Sequence, residues 1–208
     1  MDDMIRKANG FEILNHWALA LSCILLSITG FAFLFQMKEV GSFFGGFPSM
    51  RLIHNWGGVV FSVSLLLSMF NWLKESITFD ADDMGWIKVA GGYLSRKVKV
   101  PPMGKLNTGQ KFFYLAILFA GIAISASGFV IWLLPANKQW VLVSHLIHNI
   151  SFIVIILAIP VHMYLGTIAN PGTLRIMISG TVPYWWAKKK HPKWVQDVET
   201  RKAGLKST

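Results

Sequence analysis

Three histidines lie within one mostly apolar stretch, "HLIHNISFIVIILAIPVHMYLG", which covers residues 145–166. Polar side chains are costly in a hydrocarbon environment, so a membrane helix that contains them generally uses them. His148 and His162 are fourteen residues apart. On an α-helix this spacing corresponds to a rise of roughly 21 Å and falls about 40° short of four full turns. One helix face therefore presents an imidazole at each of two depths.

Four apolar runs are long enough to cross a bilayer, which takes about 20 residues each. They cover roughly residues 13–35, 52–73, 112–134 and 141–169, and 53% of the chain is hydrophobic, with a mean hydropathy of +0.49. We expect an all-α membrane protein with a four-helix bundle as a single domain over residues 1–208. Residues 74–111 form a loop between the second and third helices, and residues 170–208 form a tail.

The first run is longer than the apolar part of a signal peptide and is followed by no small-residue cleavage site, so we expect it to stay in the protein. Cys23 is the only cysteine. The chain therefore lacks a cysteine framework for iron–sulfur clusters and a c-type haem attachment motif. A single cysteine within an apolar run indicates a packing residue.

Positive charge is distributed unevenly along the chain. Of the 20 lysines and arginines, three lie in the loops between helices 1 and 2 and between helices 3 and 4, namely Lys38, Arg51 and Lys138. Cytoplasmic segments of membrane proteins carry the excess of Lys and Arg, so the net charge of +10 reflects topology better than nucleic-acid binding. Both termini and the loop at 74–111 are predicted to be cytoplasmic.

This topology sorts the histidines by depth. His54, His145 and His148 belong near the outer surface, and His16 and His162 near the inner one. His191 belongs to the polar tail, where we expect it to be solvated. The pairs His54/His148 and His16/His162 match the needs of two stacked b-type haems, because imidazole is a common axial ligand of haem iron.

Each histidine also has a simpler interpretation as a hydrogen-bonded contact between helices, and four at matched depths favour the ligand interpretation. His145 lies one turn before His148 and competes with it as the outer ligand. Gly30, fourteen residues after His16, is expected at the outer level with room for a macrocycle. The small residues of "AGIAISASGF" favour close helix packing or a flat ligand, and Pro160 is expected to kink helix 4.

Two other segments have the character of a membrane interface. In the loop, "DDMGWIKVAGGYLS" predicts a short interfacial helix with Trp86 and Ile87 dipping toward lipid. The following basic segment contains Pro101 and Pro102 and is predicted to be irregular. In the tail, Tyr184, Trp185 and Trp186 stand beside lysines, which is typical of an interface on the positive side.

Several motifs carry a family resemblance. They are "HW" at 16–17, "RLIHNWGG" at 51–58, "GKLNTGQK" at 104–111, "GFVIW" at 128–132, "HLIHNISFIVIILAIPVHMY" at 145–164 and "WAKKKHPKW" at 186–194. With these motifs the chain resembles, over nearly its whole length, the gamma subunit of respiratory formate dehydrogenase, a membrane cytochrome b. The four-helix histidine pattern is shared with cytochrome b subunits of nickel–iron hydrogenases and related reductases, and His145 departs from the family pattern.

The resemblance implies two haem b groups, the outer one held by His54 and His148 and the inner one by His16 and His162. It implies a quinone site, for menaquinone or ubiquinone, beside the inner haem at His162, Asn107 and Gly109, with Gln110 nearby. It further implies an electron-transfer subunit of the bacterial inner membrane. Its partners would be an iron–sulfur beta subunit and a molybdenum- or tungsten-containing alpha subunit that performs the formate chemistry.

Two alternatives remain at this point. One keeps the chemistry with a different partner, such as a hydrogenase, and the other is a haem-free transporter or scaffold. Arg51, three residues before His54, is expected to approach an outer haem propionate, with an ordinary interfacial anchor as the competing interpretation.

Overall fold

Four long helices form the body of the protein in a computed structural model that describes residues 3–95 and 97–206. They are α1 (Gly10–Leu34), α3 (Phe47–Ile77), α5 (Thr108–Leu133) and α6 (Lys138–Thr167). Each is long and apolar enough to span a membrane. Each of the four apolar runs therefore forms a long helix, as predicted. The short helix α2 (Lys38–Phe43) precedes α3.

The helix ends differ from the predicted bounds because polar residues continue or cap the helices beyond the apolar runs. The second long helix begins at Phe47 rather than near residue 52 and continues to Ile77. Asn9 and Asn107 each cap the start of a helix through a capping box. In each box the Asn side chain accepts from the backbone N–H three residues later, at Glu12 or Gln110. The side chain of that Glu12 or Gln110 accepts in turn from the backbone N–H of the Asn. Helix α6 continues through Pro160 as one element.

Small polar side chains join the long helices inside the bundle. Helix α1 packs on α3, α3 on α5, and α5 on α6. The Asn15 amide donates to the Ser64 carbonyl at 2.9 Å, and the Ser62 hydroxyl donates to that of Ser125, also at 2.9 Å. Between α3 and α5, an added Cβ on Gly121 would lie 2.6 Å from Leu65 Cδ2, so the absence of a side chain at Gly121 lets Leu65 pack directly against α5.

The predicted tail is a folded cap at the end of the bundle where the first and last segments of the chain meet, called here the terminal end. Strand β1 (Met4–Arg6) pairs antiparallel with β2 (Thr181–Pro183). Helices α7 (Leu174–Ser179), α8 (Tyr184–Lys190) and α9 (Pro192–Lys206) complete it. Its buried core contains Ile5, Ala8, Ile176, Val182, Trp186, Ala187, Trp194 and Val195.

The prediction that His191 is solvated was wrong. The side chain is 3% exposed, and its Nδ1 donates to the Gly104 carbonyl at 2.7 Å. Burial, and next the nearby Lys7 charge, lower the pKa of His191 to about 3, so its imidazole is neutral near pH 7. Lys7 is itself buried against the rings of Trp186 and Trp194, and this burial lowers its pKa well below the ordinary lysine value.

The interface prediction for the tail aromatics holds only in part. Trp185 is exposed, whereas Trp186 lies in the core of the cap and donates its indole N–H to the Pro171 carbonyl at 2.9 Å. Trp186 is thus a packing residue, because its ring is needed to close the core between the tail and the N-terminal strand.

The segment between α3 and α5 contains helix α4 (Ala81–Lys88) and a short 3-10 turn at Ala90–Gly92, followed by irregular chain over residues 97–107. The predicted short helix is confirmed. The segment predicted to be irregular, residues 96–111, is irregular over residues 97–107, whereas residues 108–111 already belong to α5 and Arg96 lies outside the described residues. Ile87 is exposed as expected. Trp86 does not dip toward lipid: it is half-buried, and its indole packs on Gly91 and Gly109.

A buried ion pair attaches α4 to the start of α5. Lys111 Nζ lies 2.9 and 2.8 Å from the two carboxylate oxygens of Asp83, which is 2% exposed. The Thr108 hydroxyl donates to the same carboxylate at 2.7 Å. A carboxylate with this many partners is satisfied without water, so α4 is held in one position on α5.

Replacing Asp83 with Asn should release α4 from the bundle. Removing one partner of a buried ion pair costs about 3–5 kcal/mol because the other charge stays buried and unpaired. We expect faster tryptic cleavage at Lys88 in the detergent-solubilised protein. The control is Asp82→Asn, because Asp82 pairs with the partly exposed Lys193 and a surface pair contributes at most about 1 kcal/mol. Equal cleavage rates in the two variants would contradict this account.

Candidate haem and quinone sites

His54 on α3 and His148 on α6 meet at the end of the bundle opposite the cap, called here the far end. Their ring centroids are 6.4 Å apart. His148 Nδ1 lies 3.0 Å from the Ile124 carbonyl oxygen, an acceptor, so Nδ1 must carry the proton and donate. Nε2 of His148 is then the unprotonated nitrogen, with a lone pair available for a metal.

The same logic applies to His54. Its Nδ1 lies 2.7 Å from the Thr29 hydroxyl oxygen. That hydroxyl also lies 2.9 Å from the Leu25 carbonyl oxygen, to which it can donate its proton while it accepts from His54 Nδ1. In that arrangement Nε2 of His54 also keeps a lone pair. Both far-end histidines can therefore take the tautomer, with the supporting hydrogen bond, that metal-ligating histidines use.

His16 on α1 and His162 on α6 meet at the terminal end of the bundle. Their ring centroids are 6.3 Å apart. Phe113 stacks on His162, with ring centroids 4.7 Å apart and planes inclined by 11°. His16 Nδ1 is buried and makes no hydrogen bond within the described part of the chain. An unpaired buried nitrogen is costly, so this site is chemically incomplete as protein alone.

The geometry of both pairs suits a metal bound between two imidazoles. A metal about 2 Å from one nitrogen of each ring holds the ring centroids roughly 6 Å apart. No group of three or more His, Cys, Asp or Glu side chains able to hold an ion occurs in the described ranges. Two protein ligands suffice for haem iron, because the macrocycle supplies the other four.

Two glycines leave space beside the far-end histidines. A Cβ on Gly30 would lie 3.9 Å from His54 Cε1 and 3.8 Å from Phe152, so Gly30 is at the expected level. A Cβ on Gly128 would lie 3.2 Å from His148 Cε1, so a side chain there would shift the imidazole by a few tenths of an ångström. Gly128 was not assigned a role from the sequence, although both the small-residue stretch and the "GFVIW" motif contain it.

The remaining predicted outer residues lie at the surface of the far end. His145 is exposed, whereas His148 is the residue whose ring meets His54. Arg51 is also exposed, one turn before His54 in α3. The contact with His54 therefore favours His148 over His145 as the partner.

The predicted quinone residues lie at the start of α5. Asn107 Oδ1 accepts from the Gln110 N–H, and Gln110 Oε1 accepts from the Asn107 N–H, each at 2.9 Å. The capping interpretation of Asn107 is therefore correct. The capping hydrogen bonds involve only the side-chain oxygens of Asn107 and Gln110. The amide nitrogens retain their donor capacity. One turn after Gly109, Phe113 reaches His162.

Sequence reasoning missed the supporting residues of these sites. Thr29 and Ser127 are ordinary small polar residues of membrane helices, and only their contacts with His54 and His148 distinguish them. The fourteen-residue spacing predicted the depth of the histidines. It carries no information on which neighbour accepts from Nδ1.

Paired histidines at two levels of a four-helix membrane bundle define a class of protein, the membrane cytochromes b. The family model for prokaryotic cytochrome b561 matches residues 7–180. The chain belongs to the prokaryotic cytochrome b561 family, and this membership implies haem b as its cofactor.

Among individual relatives, the chain is similar to cytochrome b subunits of formate dehydrogenases. It is 30% identical to the cytochrome b556 subunit of the nitrate-inducible formate dehydrogenase of Escherichia coli K12, over 98% of this chain and 96% of the relative. It is 31% identical to the cytochrome b556(fdo) subunit of the same organism, over 94% of each chain. A relative from Haemophilus influenzae is 26% identical over 88% of this chain and 79% of the relative. The resemblance drawn from the motifs is thus confirmed.

Replacing Thr29 with Val should weaken haem retention at the far end. The exchange removes the hydroxyl that orients His54, and losing such a supporting hydrogen bond typically lowers metal affinity about 10- to 100-fold. We expect haem loss on prolonged detergent washing, measured as haem per chain. Thr29→Ser keeps the hydroxyl and should behave like the original protein. Matching haem loss in the Val and Ser variants would assign the effect to packing instead.

Proposed function

We propose that this chain is the di-haem b subunit of a respiratory formate dehydrogenase, and that it passes electrons from an iron–sulfur subunit at the outer face to a quinone near the cytoplasmic face. The observation that carries the proposal is the meeting of His54 with His148 at one level and of His16 with His162 at another. One α6 face supplies a ligand to each pair. The two sites are therefore stacked across the bundle.

Each residue has a defined role in this proposal. His54 and His148 hold the outer haem through Nε2, while Thr29 and the Ile124 carbonyl fix their rings. His16 and His162 hold the inner haem. A bound haem b takes up and releases one electron at its iron. Arg51, exposed at the far end, is proposed to pair with a propionate of the outer haem.

The direction across the membrane follows from charge. All but three of the 20 lysines and arginines belong to the N-terminal segment, the segment between α3 and α5 and the C-terminal segment of the sequence, so the terminal end is assigned to the cytoplasm of a bacterial inner membrane. Quinone reduction there takes up protons from the cytoplasm. Electrons that arrive from the outer face then make the transfer electrogenic.

The partners are proposed from the relatives, whose names describe cytochrome subunits of formate dehydrogenases. A chain with one cysteine cannot ligate iron–sulfur clusters itself. An iron–sulfur beta subunit and a molybdenum or tungsten alpha subunit would supply the electrons. The cytochrome subunit of a hydrogenase or related reductase is the alternative, and subunits that purify together with this chain distinguish the two.

The quinone is proposed to bind at the terminal end, between the start of α5 and His162. Asn107 Nδ2 is a donor for a quinone carbonyl, and Gly109 exposes its backbone N–H without a side chain. Gln110 Nε2 is a second donor nearby. A menaquinone or ubiquinone ring in this place would lie next to the inner haem ligand.

Alanine substitutions of single histidines should remove one haem each. A haem that loses one axial imidazole is held much more weakly, so His54→Ala and His148→Ala should leave the inner haem, and His16→Ala and His162→Ala the outer one. Haem per chain should fall from two to one, measured by pyridine haemochrome against protein. The reduced-minus-oxidised spectrum should lose one component. A haem-free transporter would show no such spectrum at all.

The matched control is His145→Ala, on the same helix one turn from His148. It should retain two haems per chain. If His145→Ala lost the outer haem and His148→Ala kept it, His145 would be the outer ligand instead of His148. Two haems in the double variant His54→Ala/His16→Ala would overturn the ligand assignment.

Replacing Asn107 tests the quinone site separately from the haems. Asn107→Ala should slow quinone reduction and weaken binding of quinone-analogue inhibitors, while both haems stay bound and reducible by dithionite. Asn107→Asp is the control for capping, because its carboxylate still accepts from Gln110 N–H but lacks the amide donor. Under the proposal the Asp variant is as defective as the Ala variant. If Asn107→Asp reduced quinone as fast as the original protein, Asn107 would have only the capping role.

A further inference from the structure

Trp86 lies directly over the proposed quinone residue Gly109. A Cβ placed on Gly109 would be 2.7 Å from Trp86 Cη2, and one on Gly91 would be 2.3 Å from Trp86 Cζ2. Both glycines therefore meet the six-membered part of the indole. Any other residue at either position would push the ring away.

The position of Trp86 is imposed by the contacts of its helix. Asp83, three residues earlier, is bound to Lys111 and Thr108 of α5. On the other side of α4, a Cβ on Gly85 would lie 2.9 Å from Pro101 Cγ, which shows how closely the loop covers the helix. The indole is thus held against the first turn of α5.

Aromatic rings continue from Trp86 toward both neighbouring helices. Tyr93 packs edge-on against Trp86, with ring centroids 6.2 Å apart, and its hydroxyl accepts from the Asn170 amide just after α6. Phe113, one turn beyond Gly109, stacks on His162. Aromatic side chains therefore border the terminal end from the start of α5 to the end of α6.

A tryptophan that only anchors a helix in the membrane interface places its ring among the lipid headgroups. Trp86 is half-buried and rests on the backbone of two glycines, one of which belongs to the proposed donor set. A quinone head group hydrogen-bonded at Asn107 and Gly109 would come within reach of the edge of this indole, because the indole packs directly against Gly109. Flat rings gain from offset or edge-to-face contact.

We infer that Trp86 is the aromatic wall of the quinone site and contacts the ring of the bound quinone, so that its size and flatness help determine which head groups bind. This inference rests on the proposed function. It adds a residue from the segment between α3 and α5 that lies outside the "GKLNTGQK" motif at 104–111. The ligand class is a lipid-soluble quinone with a planar, electron-poor ring.

The test uses the complete complex with Trp86→Leu and Trp86→Phe. Losing a ring contact typically weakens binding roughly two- to tenfold. We expect that loss of quinone-analogue inhibitor affinity in Trp86→Leu, together with a raised KM for quinone, and recovery of most of the affinity in Trp86→Phe. Trp56→Leu, at the far end beside Trp132, is the matched control and should leave both unchanged.

A second readout detects contact directly. Quinone analogues quench indole fluorescence at short range, so saturating inhibitor should quench the original protein more than Trp86→Phe, with Trp56→Phe behaving like the original. Protection of Lys88 from trypsin checks that α4 stays attached in each variant. Unchanged inhibitor affinity in Trp86→Leu and equal quenching in Trp86→Phe would overturn the inference.

The Asn107 variants separate this inference from the proposed site. A defect in Asn107→Asp with normal inhibitor binding in Trp86→Leu keeps the quinone site and rejects Trp86 as its wall. Normal quinone reduction and inhibitor binding in both Asn107→Asp and Trp86→Leu would reject the quinone site and the role of Trp86 together. Defects in both, with two haems per chain retained, support both.

Discussion

The need to satisfy polar side chains inside an apolar bundle governs this structure. Four histidines within spanning helices would be costly unless each ring nitrogen has a partner. At the far end, Thr29 and the Ile124 carbonyl accept from Nδ1, so each Nε2 keeps its lone pair directed away from those partners. At the terminal end His16 Nδ1 has no hydrogen-bond partner among the described residues. The need to pair each buried histidine nitrogen thus orients the rings so that the remaining nitrogen can bind a metal.

A second set of buried polar contacts organises the terminal end. Asp83, Thr108 and Lys111 attach α4 to α5, and the sheet of β1 with β2 joins the N-terminal strand to the tail. Trp17 on α1 reaches the same region by donating to the Met177 carbonyl at 2.7 Å. The polar segments outside the long helices consequently form a folded layer over the inner histidine pair. A quinone site at this end would be enclosed by that layer as well as by the helices.

Much of the candidate site could be predicted, since helical spacing converts residue numbers into depth and direction. The fourteen residues between His148 and His162 predicted two levels, and the charge asymmetry matched His54 and His16 to them. The failures lie in the segments outside the bundle. His191 and Trp186 were expected at the surface, and Trp86 was expected to face lipid. These expectations failed because a segment that faces solvent and a small packed cap can have the same composition of polar and aromatic residues beside lysines.

Helix number and the depth of the histidines could be predicted from the sequence alone, because hydropathy and periodicity are properties of a single segment. The family followed from the motifs that carry its resemblance. The tautomers of His54 and His148, the burial of His191 and the place of Trp86 were decided only by the tertiary structure. Each depends on an atom contributed by a distant segment: Thr29 for His54, Ile124 for His148, Gly104 for His191 and Gly109 for Trp86. Such contacts arise from packing, and no local pattern encodes which segment will supply them.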